Sequence, residues 1–584
     1  MGAFILYNNK LDVSKSLKYF NNKKLTSNIT YKINNWTLIV YAKVLETHPQ
    51  VYTVNNNLIV VIGTMCYKTY GIVESRIKLL EDFINNKVDY NSIKGHYNII
   101  FNINNKLYIL CDDQNVKHIY CDKECNIFSS SLFAIAMSYL GKLTINKLAL
   151  IEKLITGIVV PPETIFNEIY QINDYYHDLL KCKNFNIKFI SYKQKSKNVT
   201  FDKDGIKNSI NDKNKYLLDY LHEWNSFVKE SNGLDIGLSA GYDSTLLFSL
   251  LFKEYYDYIH IHTHSTGHVH DHEKNATICI SNLKNKYCNI VETHRLNSTM
   301  YDIDKILDDN IYFFDGMTSF DIAGFSETYS CEYLISSSNG SRFSMSGVGG
   351  ELYRNKFGYS NRNVSLLAFL SNNHFCEGYN RISSSDIVQE SINNHVRKSE
   401  ILLDCKLSGT VSPLTLRRYY SEILMPEGQG HAIDAYNTVS YCLAPFLEKS
   451  VIMNGYKSIL YNTIYNNYEG KMINALDPEV AECISSYGYK FNTIPMSILF
   501  KKFMMTHLPK QFLKILYKKF HRINCDITYN YYCAICDNCP SLKSEVKKLK
   551  DFDFSFDINA IIKDRRVISN FSYIARLLSK CEVI

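Results

Sequence analysis

The residues best suited to chemistry lie in the segment Gly237–Leu247, where a predicted strand ends, a loop of small residues follows and an apolar helix begins. Such a junction presents unpaired backbone N–H groups and the positive end of a helix dipole, and both favour an anion. Ser239, Ser244 and Thr245 add hydroxyl donors. Asp243 adds a carboxylate, which suits a hard cation such as Mg²⁺ bound to phosphate oxygens. The pattern predicts a phosphate site; a helix start merely capped by serine is the alternative.

The loop Ser239–Ser244 resembles the Ser-Gly-Gly-x-Asp-Ser loop of ATP pyrophosphatases, which split ATP between its α- and β-phosphates. Its second residue is Ala240 in place of glycine, a change that is tolerable where this residue has an ordinary helical or extended φ. Two further segments, Ser344–Tyr353 and Pro445–Glu448, resemble elements of the asparagine synthetase family, and they occur in the same order as in that family. Within this superfamily the chain is similar to asparagine synthetases, β-lactam synthetases and lasso-peptide cyclases.

The resemblance implies ATP and Mg²⁺ as cofactors, with Asp243 and Glu351 as the metal ligands. It implies that the nucleotide is bound by eleven residues, which are Leu238, Ser239, Ala240, Gly241, Asp243, Ser244, Thr245, Thr263, His264, Ser346 and Gly347. Lys471 and Glu351 are the implied catalytic residues, since Lys471 stands about where the family places a lysine that stabilises developing negative charge. A surface lysine at a helix start is the alternative for Lys471, because the family's arginine three residues later is Asn474 here.

Three departures from the family pattern concern the acceptor and the metal. The loop after Gly349 lacks the family's aspartate and is one residue short, so Glu351 must serve as the second carboxylate. Val348 stands where the synthetases have Glu and the β-lactam synthetases Tyr, and a valine can neither bind an amine nor remove its proton. Tyr441 and Leu443 replace a Glu-x-Arg pair. These changes predict a divergent member with an acceptor other than that of a housekeeping asparagine synthetase.

The first 190 residues resemble a class II glutamine amidotransferase domain in the segments Gly95–Phe101, Leu110–Tyr120 and Phe128–Ser131. This resemblance implies an Ntn-type αββα sandwich of four layers. Active members use an N-terminal cysteine as nucleophile and its own α-amino group as base. Gly2 stands at that position, so we expect a glutaminase-inactive domain. Processing that exposes an internal residue such as Cys66 is an alternative, but it would remove two strands.

Two clusters of metal-ligand residue types lie outside these motifs. His260, His262 and His264 would share one face of a predicted strand. We favour a nucleotide-fold strand over zinc there, because same-face histidines on a buried strand rarely converge tetrahedrally. Cys533, Cys536 and Cys539 match half of an iron–sulfur pattern, with Cys525 or Cys581 as a candidate fourth zinc ligand; the favoured alternative is reduced thiols in a helical tail.

The elements that must position these residues define an α/β protein. Strand-rich residues 1–190 form the amidotransferase-like domain, and the polar stretch 191–214 is the predicted linker. Residues 215–490 alternate strand and helix and form a Rossmann-like synthetase domain of the PP-loop (adenine nucleotide α-hydrolase-like) type. Residues 491–584 are a helical extension. Apolar runs bounded by Asn-Asn turns predict strands over Trp36–Tyr41 and Leu107–Leu110, and helical spacing predicts a helix over Tyr70–Ile84.

Composition excludes several classes of function. The 584 residues carry a net charge of only +7, which does not indicate a nucleic-acid partner. No apolar run reaches the length of a membrane span, and no basic stretch precedes the apolar N-terminus as in a signal peptide. The 17 cysteines are therefore expected to be reduced thiols of a cytoplasmic protein without a membrane partner.

The leading hypothesis is an ATP-dependent carbon–nitrogen ligase that adenylates a carboxylate, releases pyrophosphate and transfers the acyl group to an amine. The expected substrates are a small-molecule or peptide carboxylate and an amine, as in natural-product or lasso-type cyclase chemistry. A precursor-peptide-processing partner or a homodimer is compatible with this hypothesis. The alternatives are an ammonia-dependent asparagine synthetase, an amidotransferase of sugar acids, a PP-loop tRNA sulfurtransferase and a non-catalytic scaffold.

Overall fold

The structure is a computed structural model that describes residues 1–172, 187–190, 210–265, 271–292, 303–317, 331–354, 363–376, 379–456, 467–500, 544 and 565–581. Sheets and helices alternate within these ranges, so the predicted mixed α/β class is confirmed. None of the helices in this part of the chain combines the length and apolarity needed to cross a bilayer.

The N-terminal half is built from short strands and four helices. The strands are β1 (Ala3–Asn8), β2 (Asn28–Ile33), β3 (Trp36–Tyr41), β4 (Tyr52–Val54), β5 (Asn57–Tyr67), β6 (Ile93–Ile103), β7 (Lys106–Cys111), β8 (Ile119–Asp122), β9 (Ile127–Ser129), β10 (Ile169–Ile172) and β11 (Ile187–Phe189). The helices are α1 (Ser14–Asn22), α2 (Ile72–Ile84), α3 (Leu132–Ser138) and α4 (Lys147–Thr156). The strands predicted over Trp36–Tyr41 and Leu107–Leu110 and the helix predicted over Tyr70–Ile84 are confirmed, and their observed ends differ from the predicted ends by at most two residues.

Asparagine pairs set the register of the hairpins. Asn55 and Asn56 join β4 to β5, and Asn104 and Asn105 join β6 to β7, as two-residue loops between paired strand ends. All four residues have positive φ. Two consecutive left-handed residues match the twist of the flanking strands, and asparagine tolerates this conformation better than most residues.

Two sheets pack face to face in this half, with helices on their outer faces. One sheet has the order β10–β8–β9–β1–β3–β2 and the other β11–β7–β6–β5–β4. Alternate residues of β1 divide between two cores, because Phe4 faces the second sheet whereas Ile5 faces α1 and α3. Leu79 of α2 covers the outer face of the second sheet. The layers are therefore helix, sheet, sheet and helix.

The C-terminal half contains a second set of elements. Its strands are β12 (Leu234–Gly237), β13 (Ile259–Ser265), β14 (Cys288–Glu292), β15 (Phe343–Met345), β16 (Val364–Ser365), β17 (Thr410–Val411) and β18 (Tyr441–Leu443). Its helices are α5 (Ile210–His222), α6 (Asn225–Glu230), α7 (Tyr242–Tyr255), α8 (His272–Leu283), α9 (Ile303–Phe314), α10 (Cys331–Ser337), α11 (Leu366–Asn373), α12 (Ser385–Leu403), α13 (Pro413–Tyr419), α14 (Met425–Glu427), α15 (Gln429–Val439), α16 (Lys449–Tyr456), α17 (Tyr468–Leu476), α18 (Pro478–Ala481) and α19 (Arg565–Lys580).

Five parallel strands form the sheet that positions the candidate site, in the order β14–β13–β12–β15–β18. Helices cover both faces: Ile261 of β13 packs with α7, whereas His262 on the opposite face meets Tyr333 of α10. The chain leaves β12 toward β13 on one side, and β15 lies on the other side. Strand order therefore reverses between β12 and β15, and ligands of open parallel sheets bind at the carboxyl ends of such strands.

The predicted linker overlaps the start of a helix. Residues 210–214, which the polar composition places in the linker, belong to α5, where Lys213 and Asn214 are buried. Nζ of Lys213 donates to the main-chain carbonyl of Asn454. The polar composition suggested a linker, but tertiary contacts such as this one satisfy the polar groups of a buried helix. Most of the predicted extension 491–584 lies outside the described residues, and α19 is its described helix.

The buried His96 joins the two halves and makes stability depend on pH. Its Nε2 lies 3.2 Å from the backbone nitrogen of Ala444. Burial lowers the pKa of His96 from 6.5 to about 4, so between these values the unfolded chain binds the proton and the folded chain does not. His96 therefore stabilises the fold above pH 6.5, and this stabilisation is lost as pH falls toward 4.

We expect His96→Gln to flatten the pH profile of unfolding. Between pH 7 and pH 5 the parent should lose about 2 kcal/mol more unfolding free energy than the variant, at about 1.4 kcal/mol for each pKa unit. Chemical denaturation at both pH values measures this difference. His48→Gln, at an exposed histidine, is the control and should keep the parent's slope. Equal slopes for His96→Gln and the parent would contradict the prediction.

Candidate functional site

The predicted phosphate loop lies between β12 and α7. β12 ends at Gly237, the N–H of Leu238 donates to the carbonyl of His262 (2.9 Å), and α7 begins after Gly241. The hydroxyl oxygens of Ser239 and Ser244 lie 3.0 Å apart across the turn. The loop thus gathers two hydroxyl groups and the first N–H groups of a 14-residue helix at the carboxyl end of the central strand.

Ala240 departs from expectation. It has φ of +49°, in the left-handed region, and not the ordinary helical or extended φ that its type implied. For a residue with a Cβ this conformation costs on the order of 1 kcal/mol. Two features hold it in place: the side chain is fully buried, and its carbonyl accepts a hydrogen bond from the N–H of Ser486 (2.9 Å). The substitution is accommodated by tertiary packing and not by a relaxed backbone.

The loop after β15 meets the start of α7 at main-chain distance. The N–H of Ser346 donates to the carbonyl of Leu443 (2.8 Å) and orients this loop. A Cβ on Gly347 would lie 2.9 Å from the backbone nitrogen of Ser244, and one on Gly350 would lie 2.8 Å from Cβ of Asp243. Only glycine fits such an approach. The structure therefore brings together the two predicted segments, which are about 100 residues apart in the sequence.

Three carboxyl groups surround one guanidinium group at this junction. Nη2 of Arg354 lies 2.7 Å from Oδ2 of Asp243 and 3.9 Å from Oε1 of Glu351. Nε of Arg354 lies 3.6 Å from Oε2 of Glu469. Burial opposes charge on Arg354, but the three carboxyl groups outweigh it and raise its pKa. We call Asp243, Glu351, Glu469 and Arg354 the carboxylate cluster.

Glu469 is the most buried member of the carboxylate cluster. Burial and the neighbouring Asp243 carboxylate raise the pKa of Glu469 well above its usual range. Glu469 therefore gives up its proton less readily than an ordinary carboxyl group, because adjacent buried carboxylates disfavour each other's ionisation. Asp243, Glu351 and Glu469 share the one positive group of Arg354.

The cluster fits a hard divalent cation. Asp243 and Glu351 already share a cationic group, and their carboxylate oxygens are of the kind that Mg²⁺ prefers. Gly347 and Gly350 let the second loop approach Asp243 and Ser244 at main-chain distance. Asp243 and Glu351 are therefore the residues that could hold the implied Mg²⁺.

The other implied nucleotide residues lie around the same sheet edge or apart from it. Thr263 is on β13, where its buried hydroxyl has no hydrogen-bond partner among the described residues. His264, the next residue, is half-buried and lies 3.6 Å from Glu273. Thr245 is fully buried in the first turn of α7, below the loop surface. The carboxyl ends of β12 and β13 are adjacent, which places Thr263 and His264 beside the loop.

Lys471 lies on α17 but not on the face that meets the cluster. It is exposed, whereas Glu469 two residues earlier is buried against Arg354. Residues two apart on a helix point in nearly opposite directions, since each residue turns the helix by about 100°. The catalytic role of Lys471 remains a prediction, and the structure gives the inward position to Glu469.

The histidines of β13 share one face, as predicted, and separate partners hold two of them. Nδ1 of His262 lies 2.9 Å from Asp235, and His264 is near Glu273. Within the described ranges these histidines do not form a metal-ligand group. The predicted cysteine cluster of Cys533, Cys536 and Cys539 lies outside the described residues.

The position of Gly2 is tightly packed. A Cβ there would lie 3.1 Å from the carbonyl oxygens of Ala42 and Thr438 and 3.2 Å from the Leu25 side chain. Thr438 belongs to the C-terminal half, so that half packs directly onto this position. The lack of glutaminase activity in the N-terminal half stays a prediction.

Comparison with known proteins gives no further assignment. No protein-family model matches this chain, and no curated protein matches it.

Sequence reasoning missed Arg354 and Glu469. Arg354 directly follows the second motif, and Glu469 stands beside Lys471 in a segment chosen for its lysine. The available signal was a charged residue at the start of a helix with an apolar face, where Glu469 follows Tyr468 and precedes Gly470. Their pairing spans more than a hundred residues and is not visible in any local pattern.

Arg354→Met is expected to destabilise the chain by about 3–5 kcal/mol, since it removes the shared partner of buried carboxylates. Urea unfolding measures the change. Mg²⁺ should raise the unfolding temperature of Arg354→Met more than that of the parent, because it replaces the missing cation. Equal Mg²⁺ effects on both proteins would contradict the metal assignment.

Proposed function

We propose that the chain is an ATP-dependent carbon–nitrogen ligase of the asparagine synthetase type, forming AMP and pyrophosphate. In this proposal the C-terminal half is a PP-loop synthetase domain and the N-terminal half an Ntn-type amidotransferase-like domain without glutaminase activity. One observation carries the proposal: the loops after β12 and β15 meet at the switch point of a parallel sheet, with Asp243 against Gly347 and Gly350.

The triphosphate would bind at the start of α7. The hydroxyl groups of Ser239 and Ser244, the N–H groups of the first turn and the helix dipole all favour phosphate oxygens there. Leu238, Ala240 and Gly241 contribute main chain to this loop. Thr263 and His264 lie beside it on the adjacent strand and would face the nucleoside.

Asp243 and Glu351 would hold Mg²⁺, which neutralises phosphate charge and so favours departure of pyrophosphate. Arg354 orients both carboxylates and keeps a positive charge next to the loop. Glu469 is fully buried and lies 3.6 Å from Nε of Arg354, so it helps to hold the guanidinium group in place. Ser346 and Gly347 bring the second loop close enough to share the phosphate site.

The proposed reaction has two steps. A carboxylate oxygen of the substrate attacks the α-phosphorus of ATP, the bond to the β-phosphate oxygen breaks, and pyrophosphate leaves. An amine nitrogen then attacks the acyl carbon, AMP leaves with the electrons of the broken acyl–oxygen bond, and a proton is lost from nitrogen. Activation is needed because a carboxylate does not otherwise offer an amine a good leaving group.

Val348 and Gly2 bear on which amine the chain would use as acceptor. Val348 is half-buried and packs against the large core that spans both halves, so it offers no polar group to an acceptor. Gly2 has no thiol, so no thioester that would release ammonia can form at this residue. The proposed acceptor is therefore an amine taken directly, in a substrate that is a small molecule or a peptide.

Product identity tests the proposal. The purified chain is incubated with ATP, Mg²⁺ and a panel of amino acids, sugar acids and peptides, with and without free amines, and nucleotide products are separated by chromatography. We expect AMP and pyrophosphate in equal amounts, dependent on one class of carboxylate. Glutamine should not replace a free amine. ADP and phosphate as products, or no nucleotide turnover with any carboxylate, would contradict the proposal.

A further inference from the structure

A second group of ligand-type side chains lies away from the carboxylate cluster, where the two halves meet. It consists of His118 from the loop before β8, Glu427 at the end of α14 and His431 on α15. One nitrogen or oxygen atom from each lies within 4.8 Å of the other two. All three side chains are buried.

The three possible ligand atoms lie close together. Oε2 of Glu427 lies 3.7 Å from Nε2 of His118 and 3.9 Å from Nε2 of His431. The two imidazole rings are nearly parallel, with centroids 4.0 Å apart. Glu427 and His431 are four residues apart, on either side of the helix break at Gly428. Nε2 of His118 is fully buried and has no hydrogen-bond partner among the described residues, which is costly for a polar atom without a ligand.

A set of outer contacts orients these three side chains. Oδ2 of Asp434 lies 3.3 Å from Nδ1 of His118, the ring nitrogen that points away from the cluster. Lys117 also pairs with Asp434. Nε2 of Gln171 donates to Oε1 of Glu427 (2.9 Å) and lies 3.1 Å from its Oε2. A carboxylate on the far nitrogen of a histidine fixes its tautomer and is the usual support of a metal-bound imidazole.

We propose that His118, Glu427 and His431 form a zinc site that joins the two halves of the chain. Two imidazoles and one carboxylate are a zinc ligand set. Bonds of about 2.0–2.1 Å in tetrahedral geometry require ligand atoms about 3.4 Å apart. The two separations from Glu427 to the imidazoles need to contract by a few tenths of an ångström, and the two imidazole nitrogens, which lie within 4.8 Å of each other, must also close to that distance. Octahedral Mg²⁺ prefers oxygen ligands and is not matched by two imidazoles.

The fourth ligand would be a water molecule. His431, but neither His118 nor Glu427, lines a cavity of about 10 Å³, which is about the space that one water needs. The zinc ion would have ligands from both halves, since His118 precedes β8 and the other two ligands lie on α14 and α15. Its role is therefore to hold the halves together, independently of the proposed ligase chemistry.

Metal content tests this site on the full-length chain. The parent, equilibrated with one equivalent of Zn²⁺ and passed over a desalting column, should retain zinc that Glu427→Gln and His431→Gln lack. The affinity for zinc, measured against a chromophoric chelator, should fall at least 100-fold in both variants. Asp434→Asn should fall by about 10- to 100-fold, as loss of an orienting carboxylate does. His96→Gln, at a buried histidine of the same interface, is the matched control and should bind like the parent.

Two further measurements distinguish zinc bound at this site from zinc bound at the cysteines, and loss of the site from failure to fold. Replacing Cys533, Cys536 and Cys539 together with serine should leave the His118 site's zinc in place. If Glu427→Gln and His431→Gln do not fold, the Co²⁺-loaded parent decides: a tetrahedral visible spectrum without a sulfur-to-cobalt band supports the site. Equal zinc in parent and both ligand variants, no zinc in the parent, or a cobalt spectrum with sulfur ligation only would overturn the proposal.

Discussion

Asp243→Asn is expected to lower AMP and pyrophosphate formation by about 10²–10³-fold. Asparagine keeps the size of the side chain and can still accept a hydrogen bond from Arg354, whose Nη2 lies 2.7 Å from Oδ2. It removes the negative charge that would hold Mg²⁺, and loss of one group that stabilises transition-state charge typically costs this much. Steady-state pyrophosphate release, at saturating ATP and Mg²⁺, measures the effect.

The matched control for this prediction is Asp219→Asn. Asp219 is exposed and pairs with Lys215 one helical turn away on α5, so its loss should change stability by less than about 1 kcal/mol and leave turnover unchanged. The folded fraction of Asp243→Asn should equal that of the parent, because asparagine keeps the hydrogen bond with Arg354, which also retains its contacts with Glu351 and Glu469. Full turnover in Asp243→Asn would refute a metal role for this carboxylate.

Gly347→Ala is expected to weaken ATP binding by about 10- to 100-fold and to cost about 1–3 kcal/mol of unfolding free energy. The added Cβ would lie 2.9 Å from the backbone nitrogen of Ser244 and 3.0 Å from the carbonyl of Asp243. These neighbours are main chain at the start of a helix and cannot rotate away. The two loops must separate, which shifts Asp243 relative to Glu351. Calorimetric titration with Mg²⁺ and ATP measures the affinity.

Gly430→Ala is the control for this substitution. Its Cβ would meet other atoms at 3.5 Å or more, which is ordinary contact. Because Gly430 is helical, alanine should leave stability unchanged or raise it by up to about 1 kcal/mol. ATP affinity should remain that of the parent. An affinity for ATP that is equal in Gly347→Ala and in the parent would show that the second loop does not shape the nucleotide site.

The parts of the fold that the sequence predicted correctly depend on local rules. The Asn-Asn loops specify left-handed turns, and strands such as Trp36–Tyr41 follow from apolar runs between those turns. The junction at Ser239 and Asp243 was recognisable because strand, small-residue loop and apolar helix follow one another directly. Each of these signals is contained in a segment of about ten consecutive residues.

The parts that the sequence did not predict depend on distant contacts. Glu469 meets Arg354, and His118 meets Glu427 and His431, across more than a hundred residues. Ala240 adopts a left-handed φ because Ser486 and the surrounding core hold it, which its own side chain disfavours. Lys471 stands about where the asparagine synthetase family has a lysine, yet helix geometry directs its side chain away from that of Glu469.

Hydrogen–deuterium exchange with and without Mg²⁺ and ATP tests most directly whether a nucleotide binds where β12 and β15 end. Peptides that cover residues 237–247 and 344–352 should become protected, and this protection should be lost in Gly347→Ala but kept in Gly430→Ala. Protection confined to other segments, or no protection at saturating nucleotide, would contradict the account.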